Sequence, residues 1–231
     1  MPTEIKLING QNLMKKCRTT LYAADITALK SDEKFTALYP KLTGRRREKM
    51  RAYAHRNDAL RSMAAELLLF HALSASGIDP DSASICETED GKPYLEGVRD
   101  FYFNLSHSGN LAVCAVSSLP VGCDVQELTG VKLDIARRFT PEEYGKIAAL
   151  TGDEARDMLF RFWTAKESYI KAVGTGFKTP LNSFAVDHES GKVHGGESYR
   201  VREFDVGDNY KCAVCTSAPD LYEAELIRVE L

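Results

Sequence analysis

The chain has 231 residues, 44% of them hydrophobic and 27% charged, with a formal net charge of −3 at pH 7. That is enough to bury one ample core or two small ones, but not three domains. No stretch approaches the roughly 18 unbroken apolar residues of a membrane helix, and the opening MPTEIKLINGQ lacks the apolar centre of a secretory peptide. The expectation is a cytoplasmic globular protein with no membrane partner.

In chain order, the first marked feature is basic. Between Arg45 and Arg61 stand seven Arg or Lys against two Asp or Glu, a local +5 in an acidic chain. Such a block reads as a solvated helix face or as a site for one small polyphosphate. A nucleic-acid track would need a basic domain, so no nucleic-acid partner is expected. The stretch Arg45 to Ser76 reads as one long helix stopped by Gly77, with Met50, Leu60, Met63, Leu67 and Phe70 near helical spacing.

DFYFNLS alternates, HSGN makes a turn and LAVCAVS continues, which predicts a hairpin from about Phe101. VGCDVQ is a third short strand, on which Asp124 and Gln126 share one side and Val121, Cys123 and Val125 the other. Thr140-Pro141-Glu142-Glu143 is a capped helix start. A further helix from about Glu154 to Val173 ends at Gly174 and aligns Trp163, Glu167 and Lys171 at intervals of four. Strands near 183–186, 199–204, 210–216 and 222–229 follow.

Cys17, Cys86, Cys114, Cys123, Cys212 and Cys215 lie in apolar segments and read as reduced core thiols. The C-x-x-C at Cys212 and Cys215 falls in an alternating strand, where residues three apart face opposite ways, so it makes a poor metal site. Ser106 and His107 lack the surroundings of a hydrolase, and Gly174-Thr175-Gly176 follows a helix where a dinucleotide loop must follow a strand. There remain two carboxylates, Asp124 and Glu167, suited to a hard cation, with Lys171 and His107 suited to phosphate oxygens.

The strings Phe103-Asn104-Leu105-Ser106-His107-Ser108-Gly109, Gly122-Cys123-Asp124-Val125 and Phe162-Trp163-Thr164-Ala165-Lys166-Glu167-Ser168-Tyr169-Ile170-Lys171-Ala172 resemble the three motifs of Sfp-type 4′-phosphopantetheinyl transferases. The resemblance includes the basic helix and the Gly91-Lys92-Pro93 turn. It implies a Mg²⁺-dependent enzyme, with Mn²⁺ as an alternative, that moves 4′-phosphopantetheine from coenzyme A to a serine of an acyl or peptidyl carrier protein and releases adenosine 3′,5′-bisphosphate.

By the same match, Asp124 and Glu167 hold the metal, and Lys171 and His107 bind the pyrophosphate. Those four form the catalytic set, with Glu167 as the base. Lys166 also faces the phosphates, Ser106 is a further coenzyme A-binding residue, the Gly91-Lys92-Pro93 turn lies by the adenosine, and Arg46, Lys49 and Arg61 take the 3′-phosphate. Many relatives carry a second acid two residues after the Asp. Here it is Gln126, expected as a weak, water-mediated metal ligand.

The resemblance further implies an α+β fold of two similar halves, 1–118 and 119–231, each a small antiparallel sheet with a long helix. The active site then lies at their interface, and the chain works as a monomer. A faint echo between CAVSSLP at Cys114 and CAVCTSAP at Cys212 agrees with such halves. The stretch Pro141 to Leu159, with Arg156 and Arg161 nearby, is the expected carrier platform. The competing readings are a non-catalytic coenzyme A or carrier-binding module, supported by Gln126, and an RNA-binding helix.

Overall fold

The computed structural model describes residues 18–129, 133–196 and 198–231; the opening segment and Cys17 lie outside them. The helices are α1 (Asp32–Leu38), α2 (Gly44–Arg51), α3 (Arg56–Ala75), α4 (Pro141–Ala148) and α5 (Gly152–Val173). The strands are β1 (Thr20–Asp25), β2 (Ile85–Glu87), β3 (Pro93–Leu95), β4 (Tyr102–Ser108), β5 (Leu111–Ser117), β6 (Val121–Glu127), β7 (Ala185–Val186), β8 (Val193–His194), β9 (Arg200–Glu203), β10 (Tyr210–Thr216) and β11 (Glu225–Arg228). The expected α+β class is the observed one. No described helix is long and apolar enough to cross a membrane.

Two sheets, β11-β1-β5-β4 and β6-β10-β9, form the centre, with the small hairpins β2-β3 and β7-β8 outside them. Strand alternation builds the layers. Along β5, Ala112, Cys114 and Val116 join a core with Leu60, Met63 and Leu68 of α3, while Leu111, Val113 and Ala115 join Cys123, Val125 and Val214 of the second sheet. Along β10, Ala213 and Cys215 turn to Leu159, Phe162 and Ala165 of α5. The order is therefore helix, sheet, sheet, helix. Cys212 and Cys215 fall in different cores, and the described cysteines are free thiols.

The local signals at the second half hold. Thr140 and Glu143 form a reciprocal capping box at α4, and α5 ends at Gly174 in the left-handed conformation, φ +81°.

Two expectations are corrected. The helix expected over Arg45 to Ser76 is two helices, α2 and α3, separated by Ala52–His55. Tertiary contacts decide this. The Arg46 guanidinium donates to Ser62 Oγ at 2.9 Å and lies 3.4 Å from the Glu66 carboxylate, whereas twenty residues of straight helix would hold Arg46 and Glu66 about 30 Å apart. The first sheet, expected to be antiparallel, is mixed, because β11 pairs in parallel with β1. Its fourth strand thus comes from the far end of the chain.

Candidate active site

The period of two along β6 turns Gly122, Asp124 and Gln126 toward α5 and leaves Val121, Cys123 and Val125 in the core between the sheets. Gly122 permits the approach. A β-carbon there would overlap the Ser168 carbonyl oxygen and the Ala172 amide nitrogen, so strand and helix meet backbone to backbone. On α5 the spacing of four stacks Trp163, Glu167 and Lys171 on one face. These three, with Asp124 and Gln126, line a cleft of about 790 Å³ whose other lining residues include Thr43, Arg46 and Glu66.

Asp124 is 2% exposed and heavily bonded. Its Oδ1 accepts from Lys171 Nζ at 2.6 Å and from Ser106 Oγ at 2.9 Å, and its Oδ2 accepts from Gln126 Nε2 at 3.1 Å. Burial, the largest single effect, would lower the Lys171 pKa, but the charge of Asp124, the hydrogen bond to it and the smaller effects of Cys123 and Glu167 together outweigh burial and raise the net value, so the ammonium stays charged. Among the described residues nothing bonds the Glu167 carboxylate. Burial, then the neighbouring Asp124 charge, lift its pKa above the usual glutamate range, against smaller opposing effects of Lys171 and Arg138.

The first motif has a structural role besides lining the cleft. Asn104, Ser106 and Ser108 project from the same side of β4, and their side-chain oxygens accept the amides of Cys123 (2.9 Å), Val125 (3.3 Å) and Glu127 (3.0 Å). A ladder of three side chains thereby joins the two sheets in register where no backbone ladder runs. Ser106 also accepts from Lys171 at 3.2 Å, so its hydroxyl braces both Asp124 and Lys171.

Arg46, Lys49 and His107 line the same cleft. Arg46 is tied to Ser62 and Glu66, whereas the exposed Lys49 has no partner among the described residues. Desolvation, then the charges of Arg61, Lys171 and Lys49, hold the His107 pKa below the usual histidine range, so near neutral pH the imidazole is uncharged.

Three expected contacts differ. Arg61 is not among the lining residues; its guanidinium bonds the Gly109 carbonyl at 2.8 Å and the Asp58 carboxylate. Lys92 lines the cleft, and its ammonium donates to the carbonyls of Ala172 (2.7 Å) and Val121 (3.2 Å). Lys166 does not face the phosphates. It is fully buried, bonded to Glu143 Oε2 at 2.8 Å and to the carbonyls of Leu181 and Phe184 at 2.8 and 2.6 Å. One step along a helix is a rotation of 100°, so the neighbour of Glu167 falls on the core stripe with Leu159, Phe162 and Tyr169.

Arg138 was not anticipated. It lines the cleft, is exposed, and has no ion pair among the described residues. It lies at the end of the short helix Leu133–Arg138, outside every quoted motif. Arg161, expected to be open to a partner, is held by Glu203 at 3.0 Å.

The donor set discriminates between metals. Among the described residues no group of three or more His, Cys, Asp or Glu is placed to hold an ion. Asp124 and Glu167 supply two carboxylates, and magnesium typically takes one or two with the remaining positions filled by water and substrate phosphates. They fit that ion and not a closed zinc site. Gln126, here a donor to Asp124, must turn its amide over to offer an oxygen beside it.

A sequence model of the 4′-phosphopantetheinyl transferase superfamily matches residues 120–215, and one described as 4′-phosphopantetheinyl transferase, N-terminal, matches residues 30–119. A 4′-phosphopantetheinyl transferase of Bacillus subtilis is 38% identical over 187 residues, 78% of this chain and 84% of its own length. The 4′-phosphopantetheinyl transferase Sfp of Bacillus subtilis (strain 168) is 34% identical over 186 residues, 77% and 83% of the two chains. The L-aminoadipate-semialdehyde dehydrogenase-phosphopantetheinyl transferase of Xenopus laevis is 32% identical over 161 residues, 59% and 52%. With two curated relatives above 30% identity matched over more than four fifths of their length, the chain belongs to the 4′-phosphopantetheinyl transferases.

Proposed function

We propose that this transferase moves the 4′-phosphopantetheine of coenzyme A to a serine hydroxyl of an acyl or peptidyl carrier protein. The observation that carries this reading is the convergence of Asp124, Glu167 and Lys171 in one cleft that also holds Arg46, Lys49 and His107. Coenzyme A is a polyanion, and attack at its pantetheine-side phosphorus spreads further charge onto the equatorial and leaving oxygens, so cations must already be in place.

In this reading Lys171 and the neutral His107 donate to the diphosphate, and Lys49, with Arg46 behind it, receives the 3′-phosphate. Asp124 and Glu167 would hold Mg²⁺, with Mn²⁺ as a substitute, which neutralises diphosphate charge when bound. Glu167, its carboxylate unbonded and its pKa raised, takes the serine proton directly or through a water. The serine oxygen bonds to phosphorus as the bond to the bridging oxygen breaks. Adenosine 3′,5′-bisphosphate leaves with that electron pair and needs little acid help.

Arg138 and the exposed Leu133 and Tyr144 lie toward the α4 side and suit an acidic helical carrier. Both walls of the cleft come from one chain, so a monomer suffices, and the free thiols suit a reducing cytoplasm. The test is to incubate the protein with coenzyme A, Mg²⁺ and an apo carrier domain. A mass gain of one phosphopantetheine group on the carrier is expected; binding of coenzyme A without that gain would leave only a binding module.

A further inference from the structure

The β2-β3 hairpin belongs to the first half of the chain, yet its turn reaches across the cleft. The turn is stiff: the Thr88 amide donates to the Lys92 carbonyl at 2.9 Å, the Gly91 amide to the Thr88 carbonyl at 2.9 Å, and the Lys92 amide to Thr88 Oγ1 at 3.1 Å. From it the Lys92 stem passes over Gly174, where an added β-carbon would sit 3.1 Å from Lys92 Cδ. Its ammonium ends between two carbonyls, Ala172 at the C-terminus of α5 and Val121 at the start of β6.

The Ala172 carbonyl is one of the last four of α5, which lack intrahelical partners, at the helix end that attracts cations. Beside it, Asp90 and Lys178 add an ion pair at 2.5 Å between the same hairpin and the segment after α5. One side chain of the first half therefore touches both the strand that bears Asp124 and the helix that bears Glu167 and Lys171.

We propose that Lys92 is a positioning residue: its ammonium latches the β2-β3 hairpin onto α5 and β6 and so fixes that end of the cleft before the nucleotide arrives. The inference rests on the functional reading above only for what the cleft binds. Burial holds the Lys92 pKa down to about 8, so near neutral pH the group is still mostly an ammonium and can donate to both carbonyls. The spacing of Asp124, Glu167 and Lys171 is held separately, by the packing at Gly122 and the Lys171–Asp124 pair. Loss of the latch should therefore weaken nucleotide binding more than it slows chemistry.

The test uses the whole chain with Lys92→Met, which keeps the stem and removes the donor, and Lys92→Gln should the first variant fail to fold. Without coenzyme A, glutamyl endopeptidase should cut at Glu87 and Glu89 about tenfold faster in the variant. The KM for coenzyme A should rise about five- to tenfold, with a smaller fall in kcat. A raised KM with unchanged cleavage would make Lys92 a direct ligand contact and overturn the latch, and so would no change in either. If wild type transfers nothing to any apo carrier, the functional reading fails, while the cleavage comparison still decides the latch.

Discussion

Gly122 lies flat against Ser168, so that a β-carbon on the strand would overlap the helix carbonyl and press the Lys171 carbonyl carbon at 2.8 Å. The distance between Asp124 and the Glu167–Lys171 face is set by this absence of a side chain. Gly122→Ala is therefore expected to push β6 from α5, and displacements of about 1 Å at reacting groups cost on the order of 100-fold in rate. The measurement is kcat at saturating coenzyme A, with circular dichroism to verify folding.

Glu167 should trade stability for chemistry. Because its folded pKa is raised, the folded chain holds a proton that the unfolded chain has already released between the usual 4.5 and the raised value, so stability falls as pH rises through that window. Glu167→Gln lacks this penalty and should melt at a higher temperature than wild type at pH 7 in chelator. It should also lose about 10²- to 10⁴-fold in transfer, the usual worth of a positioned base. Paired melting curves and rates check both.

Lys49 and Arg46 should separate. Lys49→Ala removes an unpaired charge, and should cost about tenfold in kcat/KM with coenzyme A and little with its 3′-dephospho form. Arg46→Ala also strips Glu66, 2% exposed, of its cation, so it should lose about 1–3 kcal/mol of stability in a denaturant titration.

Gln126→Glu adds a second acid beside Asp124 and should lower the Mg²⁺ concentration for half-maximal activity several-fold. An unchanged magnesium titration would count against position 126 facing the ion.

Lys166→Met leaves the buried Glu143 carboxylate without its cation. Breaking such a pair costs about 3–5 kcal/mol, whereas the KM for coenzyme A, measured below the melting transition, should not change. A raised KM at intact stability would return Lys166 to the ligand.

The second half of the molecule was more legible than the first. The alternation of VGCDVQ, the Thr140 cap, the stop at Gly174 and the interval of four from Trp163 to Lys171 are local signals, and the fold obeys them. What was missed depends on contacts distant in sequence. Nothing in RAYAHRN breaks a helix; the bend appears because Thr43 and Arg46 fold back on Glu66 and Ser62. The β4 ladder needed knowledge of which strand lies beside Asn104, Ser106 and Ser108. Lys166 was the exception, since its place in the series Leu159, Phe162, Lys166 and Tyr169 already marked a buried stripe.

The parallel pairing of β11 with β1 joins Thr20 to Glu225 and, through the Val229 amide and the Ala23 carbonyl, closes a loop of some two hundred residues. On the ribosome, the sheet that backs the basic helices cannot reach its full width until Glu225–Arg228 has emerged from the exit tunnel. Completion of that sheet therefore waits on a segment translated some two hundred residues after the strand it pairs with.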